Sequence, residues 1–180
     1  NSTSNFSEAG GGGRAVTITA GTIEHFTVLT GPGADTITVG DGTNIIDMGI
    51  GANTATTGNG NNSVTGGNEA DTITTGGGND TINGGAGIDT AVFLQQKLAY
   101  VISKTTTGIT VGSGDDVDTM INVERLQFAN VKVAFDLEGN AGQTAKILGA
   151  VFGKASVANK EYAGIGLSLL DAGMSYEQLA

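Results

Sequence analysis

The chain has 180 residues, with 18 acidic and 8 basic side chains and a formal net charge of −10. That balance argues against nucleic-acid and anionic-membrane partners, which select basic surface, and it favours cations. Cysteine is absent, which excludes disulfide scaffolds and thiolate metal sites, and no apolar run approaches the ~18 residues of a membrane span.

Asn1–Gly13 is polar and ends in four glycines, so it reads as a linker or frayed start. No amino-terminal signal peptide is visible, and the polar opening is expected of a piece of a longer protein. Arg14–Leu29 alternates through Val16, Ile18, Ile23, Phe26 and Val28, which predicts two short strands. They lack glycine loops, so they are expected to cap whatever follows, because an open sheet edge invites aggregation. His25 is the sole histidine. With no second His or Cys to complete a site, a structural or surface role is expected.

Thr30–Val92 divides into seven nonapeptides without insertion: TGPGADTIT, VGDGTNIID, MGIGANTAT, TGNGNNSVT, GGNEADTIT, TGGGNDTIN, GGAGIDTAV. The second position is always glycine (Gly31, Gly40, Gly49, Gly58, Gly67, Gly76, Gly85). The fourth is glycine (Gly33, Gly42, Gly51, Gly60, Gly78, Gly87) except at Glu69. The sixth is Asp35, Asn44, Asn53, Asn62, Asp71, Asp80 or Asp89, and the eighth is apolar throughout. A fixed short period marks one unit stacked on itself. Nine residues hold a glycine turn, where positive φ is tolerated, and a short strand with one side chain to bury. Thr on either side suits the outer face of a strand. One unit buries almost nothing, so stacking is obligatory.

No Lys or Arg occurs between Arg14 and Lys97, while Asp35, Asp41, Asp47, Glu69, Asp71, Asp80 and Asp89 all fall inside the repeats. Stacked carboxylates without counter-charge repel, and a divalent cation relieves that. The alternative is a metal-free glycine/threonine solenoid.

The repeat resembles the GGxGxDxUx nonapeptide of RTX proteins, the bacterial toxin, protease and lipase modules. The resemblance implies a mainly β fold. In that family two nonapeptides form one coil of a parallel β-roll, and calcium sits between loops 18 residues apart. One edge would then carry Asp35, Asn53, Asp71 and Asp89, and the other Asn44, Asn62 and Asp80. Calcium takes several oxygen ligands, and its affinity is tuned by how many are charged. The implied ligands are these sixth-position side chains with carbonyls of the glycine loops (Gly31, Gly33, Gly49, Gly51, Gly58, Gly60, Gly67, Gly76, Gly78, Gly85, Gly87). Only Asp71–Asp89 pairs two carboxylates, so the sites toward the carboxyl-terminal end are expected to fill best. Glu69 puts the geometry of the Asp71 loop in question.

After the repeats, Leu98, Tyr100, Ile102, Ile109 and Val111 alternate as strands. The GxDTAVF tail and the later Asp118, Met120, Asn122, Val123, Glu124, Leu126 and Phe128 resemble the segment that closes RTX rolls. Asp115, Asp116 and Asp118 are expected in a solvated turn, since no glycine follows at the offset an EF-hand needs. Glu124 and Arg125 are expected to form a surface ion pair.

From Gly139 the spacing becomes helical: Ala145, Leu148, Val151 and Phe152, with Ile147 beside them and Gly153 as a stop. Ser156 or Asn159 is expected to cap a second helix carrying Tyr162, Ile165 and Leu169, ended by Gly173. Ser175 and Gln178 form a capping box opening a third helix. That helix has only five residues to run, so truncation of a longer protein is expected. This stretch resembles a helical domain of unknown function that follows RTX repeats in some bacterial secreted proteins.

No catalytic constellation is legible. Gly112-Ser113-Gly114 is not a nucleophile turn, His25 is alone, and the glycine pairs lack the lysine or long helix of a phosphate loop. The expectation is therefore a non-enzyme: residues 1–29 linker and capping strands, 30–92 RTX β-roll, 93–138 closing strands, and 139–180 helical. The resemblance implies several Ca²⁺ ions, type I secretion, and folding outside the cell. Two other readings remain open: an adhesive or surface-layer module with a cell-surface glycan or protein partner, and an accessory module of an upstream secreted hydrolase.

Overall fold

The computed structural model describes residues 3–7, 15–17, 25–136 and 138–179. They form two compact units, divided between Val133 and Ala134.

The first unit is a parallel β-solenoid of about four turns. One sheet contains β1 (Thr3–Ser7), β3 (His25–Leu29), β5 (Thr43–Asp47), β7 (Ser63–Asn68) and β9 (Thr81–Ala86). The other contains β2 (Ala15–Thr17), β4 (Thr36–Thr38), β6 (Thr54–Thr56), β8 (Thr72–Thr74) and β10 (Thr90–Val92). From β3 onward, strands of one sheet pair in parallel at a constant 18-residue offset, as in Val28↔Ile46, Ile46↔Val64 and Val64↔Ile82. The offset follows from the nonapeptide: two turn-plus-strand units close one coil and bring each residue under its counterpart.

Strand alternation then sets the core. Val28, Ile46, Val64, Ile82 and Met120 stack on one inner face, and Ile37, Ala55, Ile73, Ala91 and Leu126 on the other. None of them is more than 1% exposed. The flanking threonines of β4 and β6 face outward. With so thin a core, the stacked apolar columns and the coil-to-coil hydrogen bonds share the stabilisation.

Two expectations change at the amino-terminal end. Thr3–Ser7, read as linker, is β1, parallel to β3. The rest of that stretch, and the Ile18 and Ile23 positions, lie outside the described residues. The strand at Phe26 and Val28 is a regular member of the roll in full register with β5, not a separate cap.

Beyond β10 the chain leaves the winding through a 3₁₀ turn, Lys97–Ala99, and an antiparallel hairpin of β11 (Val101–Lys104) and β12 (Ile109–Ser113). It returns as β13 (Asp116–Ile121), antiparallel to β12 and parallel to β9, with Met120 beside Ile82. Next, β14 (Arg125–Gln127) lies parallel to β10, with Leu126 beside Ala91, and β15 (Lys132–Ala134) follows. The closing segment therefore supplies one more parallel rung to each sheet, reached by a step of 38 residues in the first and 35 in the second. Phe93, Tyr100 and Phe128 cluster there, with ring centroids 5.0–5.4 Å apart.

The second unit is helical: α1 (Asn140–Phe152), a single turn α2 (Lys154–Val157), α3 (Lys160–Asp171) and a short α4 (Tyr176–Leu179). Asn159 caps α3, accepting from the Glu161 and Tyr162 N–H groups. Ser175 and Gln178 make both bonds of the capping box. Gly153 ends α1 at φ 84°. The buried face differs from the expected one. Ile147, Leu148, Gly166 and Leu170 are buried, whereas Val151, Phe152, Tyr162 and Ile165 are exposed. Close approach of α3 to α1 explains this: a Cβ on Gly166 would meet Thr144 at 2.9 Å, so the glycine row sets the contact line.

Candidate metal centre

The sixth repeat position immediately precedes its strand, or in Asn44 lies at the start of β5, and the 18-residue coil stacks these residues along the two loop edges. Along one edge the Asp35 N–H donates to Asn53 Oδ1 (2.7 Å), Asn53 N–H to Asp71 Oδ1 (2.8 Å), and Asp71 N–H to Asp89 Oδ1 (2.8 Å). Along the other, Asn44 N–H donates to Asn62 Oδ1 (3.1 Å) and Asn62 N–H to Asp80 Oδ1 (2.7 Å). The side chains of Asn53, Asn62, Asp71, Asp80 and Asp89 thus hang from the backbone one coil earlier, and all seven sixth-position residues are buried.

The two ladders run past the repeats. Asp80 N–H donates to Asp118 Oδ1 (3.0 Å), and Asp89 N–H donates to Glu124 Oε2 (2.9 Å). Asp118 is therefore buried on the second edge rather than solvated in a turn. Glu124 ends the first edge, and Arg125, expected at the surface, is buried and donates Nη1 to the Glu124 carbonyl at 3.1 Å. Only Asp116 of the acidic trio serves a loop from outside, accepting from Gly78 N–H. A sequence signal for Asp118 exists: Asp118-Thr119-Met120 repeats Asp71-Thr72-Ile73 and Asp80-Thr81-Ile82.

The glycines make the loops stackable. In the fourth position Gly33, Gly42, Gly51, Gly60, Gly78 and Gly87 all have positive φ. Glu69 takes φ 74° in the same place, so the Asp71 loop keeps its path at a steric cost on the order of 1 kcal/mol. In the second position, Gly49, Gly67 and Gly85 have positive φ on one edge, while Gly58 and Gly76 on the other are required by close approach: a Cβ on either would lie about 2.5 Å from backbone one coil earlier. Gly31 packs beneath Gly49, its carbonyl oxygen 2.9 Å from where a Cβ on Gly49 would stand.

What remains after the ladder bonds separates Asp from Asn. Asp71, Asp80 and Asp89 each have a second oxygen, Oδ2, that is buried and has no hydrogen-bond partner. Asn44, Asn53 and Asn62 instead donate Nδ2 to carbonyls of their own loops. Burial pushes the Asp71 carboxyl from 3.8 to about 6, helped by the charges of Asp89 and Glu69. Burial likewise lifts Asp89 to about 6, with Glu124 adding to it, and Asp118 to about 7, with Asp80 and Asp116 adding. Asp80 is raised by burial and by Asp116. A carboxylate oxygen buried without a donor is costly unless a proton or cation meets it. The donor set is hard oxygen, which fits calcium. Among the described residues no three His, Cys, Asp or Glu side chains converge on one point. The balance of any coordination sphere must therefore come from loop carbonyls.

These raised values fix the pH behaviour of the calcium-free roll. A carboxyl whose folded value exceeds its unfolded one binds protons more tightly when folded, so stability is lost as pH rises through the folded value. Burial of Asp71 therefore favours its protonated form in the folded roll. In chelator, thermal melts should show the roll more stable at pH 4.5 than at pH 8, with the loss falling between about pH 4 and 7. Saturating calcium should remove that acid advantage.

Buried oxygens ranged along both edges of a parallel β-roll define a calcium-binding solenoid. Residues 27–55 and 56–91 match the family of RTX calcium-binding nonapeptide repeats (4 copies), and RTX repeats bind several Ca²⁺ ions per array. The matched stretch is thus an RTX array, followed by closing strands and helices that the family does not cover. No curated protein and no solved structure matches the chain.

Proposed function

We propose that the roll is a calcium-gated folding module of a secreted protein, ordered by the ion outside the cell after type I export. The observation that carries this reading is the set of buried, partnerless Oδ2 atoms of Asp71, Asp80 and Asp89. These carboxylates, with Asp118 and carbonyls of Gly66, Glu69, Gly76, Gly78, Gly84 and Gly87, would hold the metal. Bound calcium supplies the positive charge that the loops lack. The chain's own residues do the rest: the ladder bonds aim each carboxylate, the glycines let successive loops approach, and the apolar columns keep the rungs in register.

Binding to the folded loops and not to the unfolded chain makes binding energy into folding energy. RTX repeat proteins are typically secreted, and among the described residues no helix is long and apolar enough to cross a membrane. Modular extracellular sites fill at roughly 10⁻⁴–10⁻³ M calcium, far above the range of cytosolic sensors. Such sites would leave the chain loose inside a cell and ordered outside it. We read the module as non-catalytic. Its sole histidine, His25, is exposed and bonded through Nδ1 to the Thr43 carbonyl at 3.2 Å.

Far-UV circular dichroism at pH 8 tests the proposal. Calcium in the millimolar range should raise the β signal sharply and reversibly, and magnesium should not reproduce it. An unchanged spectrum in strong chelator would refute calcium-gated folding.

A further inference from the structure

Seven loops share one design, yet they present two different atoms to their own carbonyls. In Asn53 and Asn62 the side-chain orientation is dictated by the ladder. The atom facing the Asp35 or Asn44 N–H must be an acceptor, so Oδ1 is held there at 2.7 and 3.1 Å. The NH₂ group must then turn into the loop. Asn53 Nδ2 donates to Met48 O (3.1 Å) and Gly51 O (2.8 Å), and Asn62 Nδ2 donates to Gly58 O (3.2 Å) and Gly60 O (2.8 Å). Asn44 Nδ2 likewise donates to Gly40 O and Gly42 O, both at 3.2 Å. Asn44 and Asn62 Nδ2 also face the ladder oxygens Asn62 Oδ1 (2.8 Å) and Asp80 Oδ1 (3.0 Å), so the amide hydrogens are met within the loop and the ladder.

The ladder pins Asp71, Asp80 and Asp89 in the same way, through Oδ1. Their second atom is an oxygen where asparagine has its NH₂, and it has no partner. By the repeat register, the carbonyls that correspond to those bound by asparagine belong to Gly66 and Glu69, Gly76 and Gly78, and Gly84 and Gly87. Oxygen facing oxygen in a buried loop calls for a positive charge; an amide facing oxygen does not. For a cation to enter an asparagine loop it would have to break two N–H···O bonds. If the amide flipped to offer its oxygen, the ladder N–H would be left facing another donor. No charge would be gained in return.

We propose that asparagine at the sixth position takes the cation's place: the loops of Asn44, Asn53 and Asn62 are sealed by their own amides and bind no calcium. After these three loops the demand for the ion begins at Asp71 and is met by Asp71, Asp80, Asp89 and Asp118. The Asn44, Asn53 and Asn62 loops then form a metal-independent stretch that templates the metal-dependent half following it. This assignment rests on the proposal that the aspartate loops hold calcium, and it corrects the expectation that Asn44, Asn53 and Asn62 are ligands.

Variants differing by one isosteric group provide the test, read by native mass spectrometry for ions per chain and by circular dichroism for the calcium midpoint. Asn53→Asp and Asn62→Asp should each add one bound ion and raise the calcium midpoint several-fold. Asp80→Asn should lose one ion without raising the midpoint, whereas Asp80→Ala, with neither charge nor amide, should raise it. Unchanged ion counts in both Asn→Asp variants, or Asp80→Asn behaving like Asp80→Ala, would overturn the assignment. If the Asn→Asp variants fail to fold, hydrogen exchange on the unaltered chain in chelator decides. The Ile37 and Ile46 amides should stay protected while those of Thr90–Val92 exchange freely; simultaneous loss at both ends overturns it. An unaltered chain that binds no ion at all would instead sink the calcium reading itself.

Discussion

Gly67→Val should abolish the ordered roll at every calcium concentration. Gly67 has φ 114°, a conformation that a β-branched side chain essentially never adopts. A Cβ there would also collide with the Gly49 carbonyl one coil earlier, and Gly85 rests on Gly67 in the same manner one coil later. The strain cannot be relieved locally, because moving the loop displaces both neighbours. Strain at a special φ combined with overpacking belongs to the rare class of single changes costing on the order of 4 kcal/mol or more. That is most of the stability of a small domain. Gly114→Ala is the control. It also has positive φ (67°), but its Cβ would meet nothing within 4 Å, so the expected cost is about 1 kcal/mol. Thermal melts in saturating calcium measure both. A folded Gly67→Val roll would mean that the loops do not stack as described.

Asp89→Ala and Asp71→Ala should each raise the calcium midpoint about tenfold or more, equivalent to about 1.4 kcal/mol of lost binding. Either change deletes a charged ligand of the Asp71–Asp89 pair, and also the Oδ1 acceptor of the ladder. Asn44→Ala should act differently. It removes two amide bonds to Gly40 and Gly42 carbonyls in a buried place, at about 1–3 kcal/mol. That loss should be the same with and without calcium. Titrations followed by circular dichroism separate the two behaviours. Equal shifts of the calcium midpoint for all three variants would contradict the ranking of the loops.

The winding itself could be read from residues. A glycine, an Asp or Asn, and an apolar side chain at constant spacing leave few ways to turn and bury, and the coil offset observed is twice that spacing. Asp118 and Glu124 escaped because the β11–β12 hairpin interrupts the count, and a register argument cannot see across an insertion. Only the Asp-Thr-apolar signature at Asp118 survives the gap. The difference between Asn and Asp loops was out of reach for another reason. Oxygen count alone ranks them by charge, whereas the structure shows that the ladder N–H chooses which atom of the amide faces inward. In the helical unit, periodicity placed the helices and their caps, but the buried stripe follows Gly166 and Thr144, small residues that an apolar pattern ignores.

The hairpin that closes the first sheet also sets how long this spring can be. A parallel coil offers the same unsatisfied edge at every turn, so nothing in the repeat tells it to stop, and two open ends could join into a fibril. Here β12 and β11 reverse direction. Neither supplies a loop-edge carboxylate or amide to prolong the ladders, which finish at Asp118 and Glu124. A foreign coil arriving at β11 would find the wrong polarity and no ladder to hang from. The reversal acts as a length terminator for the first sheet, ending the winding where the ladders end.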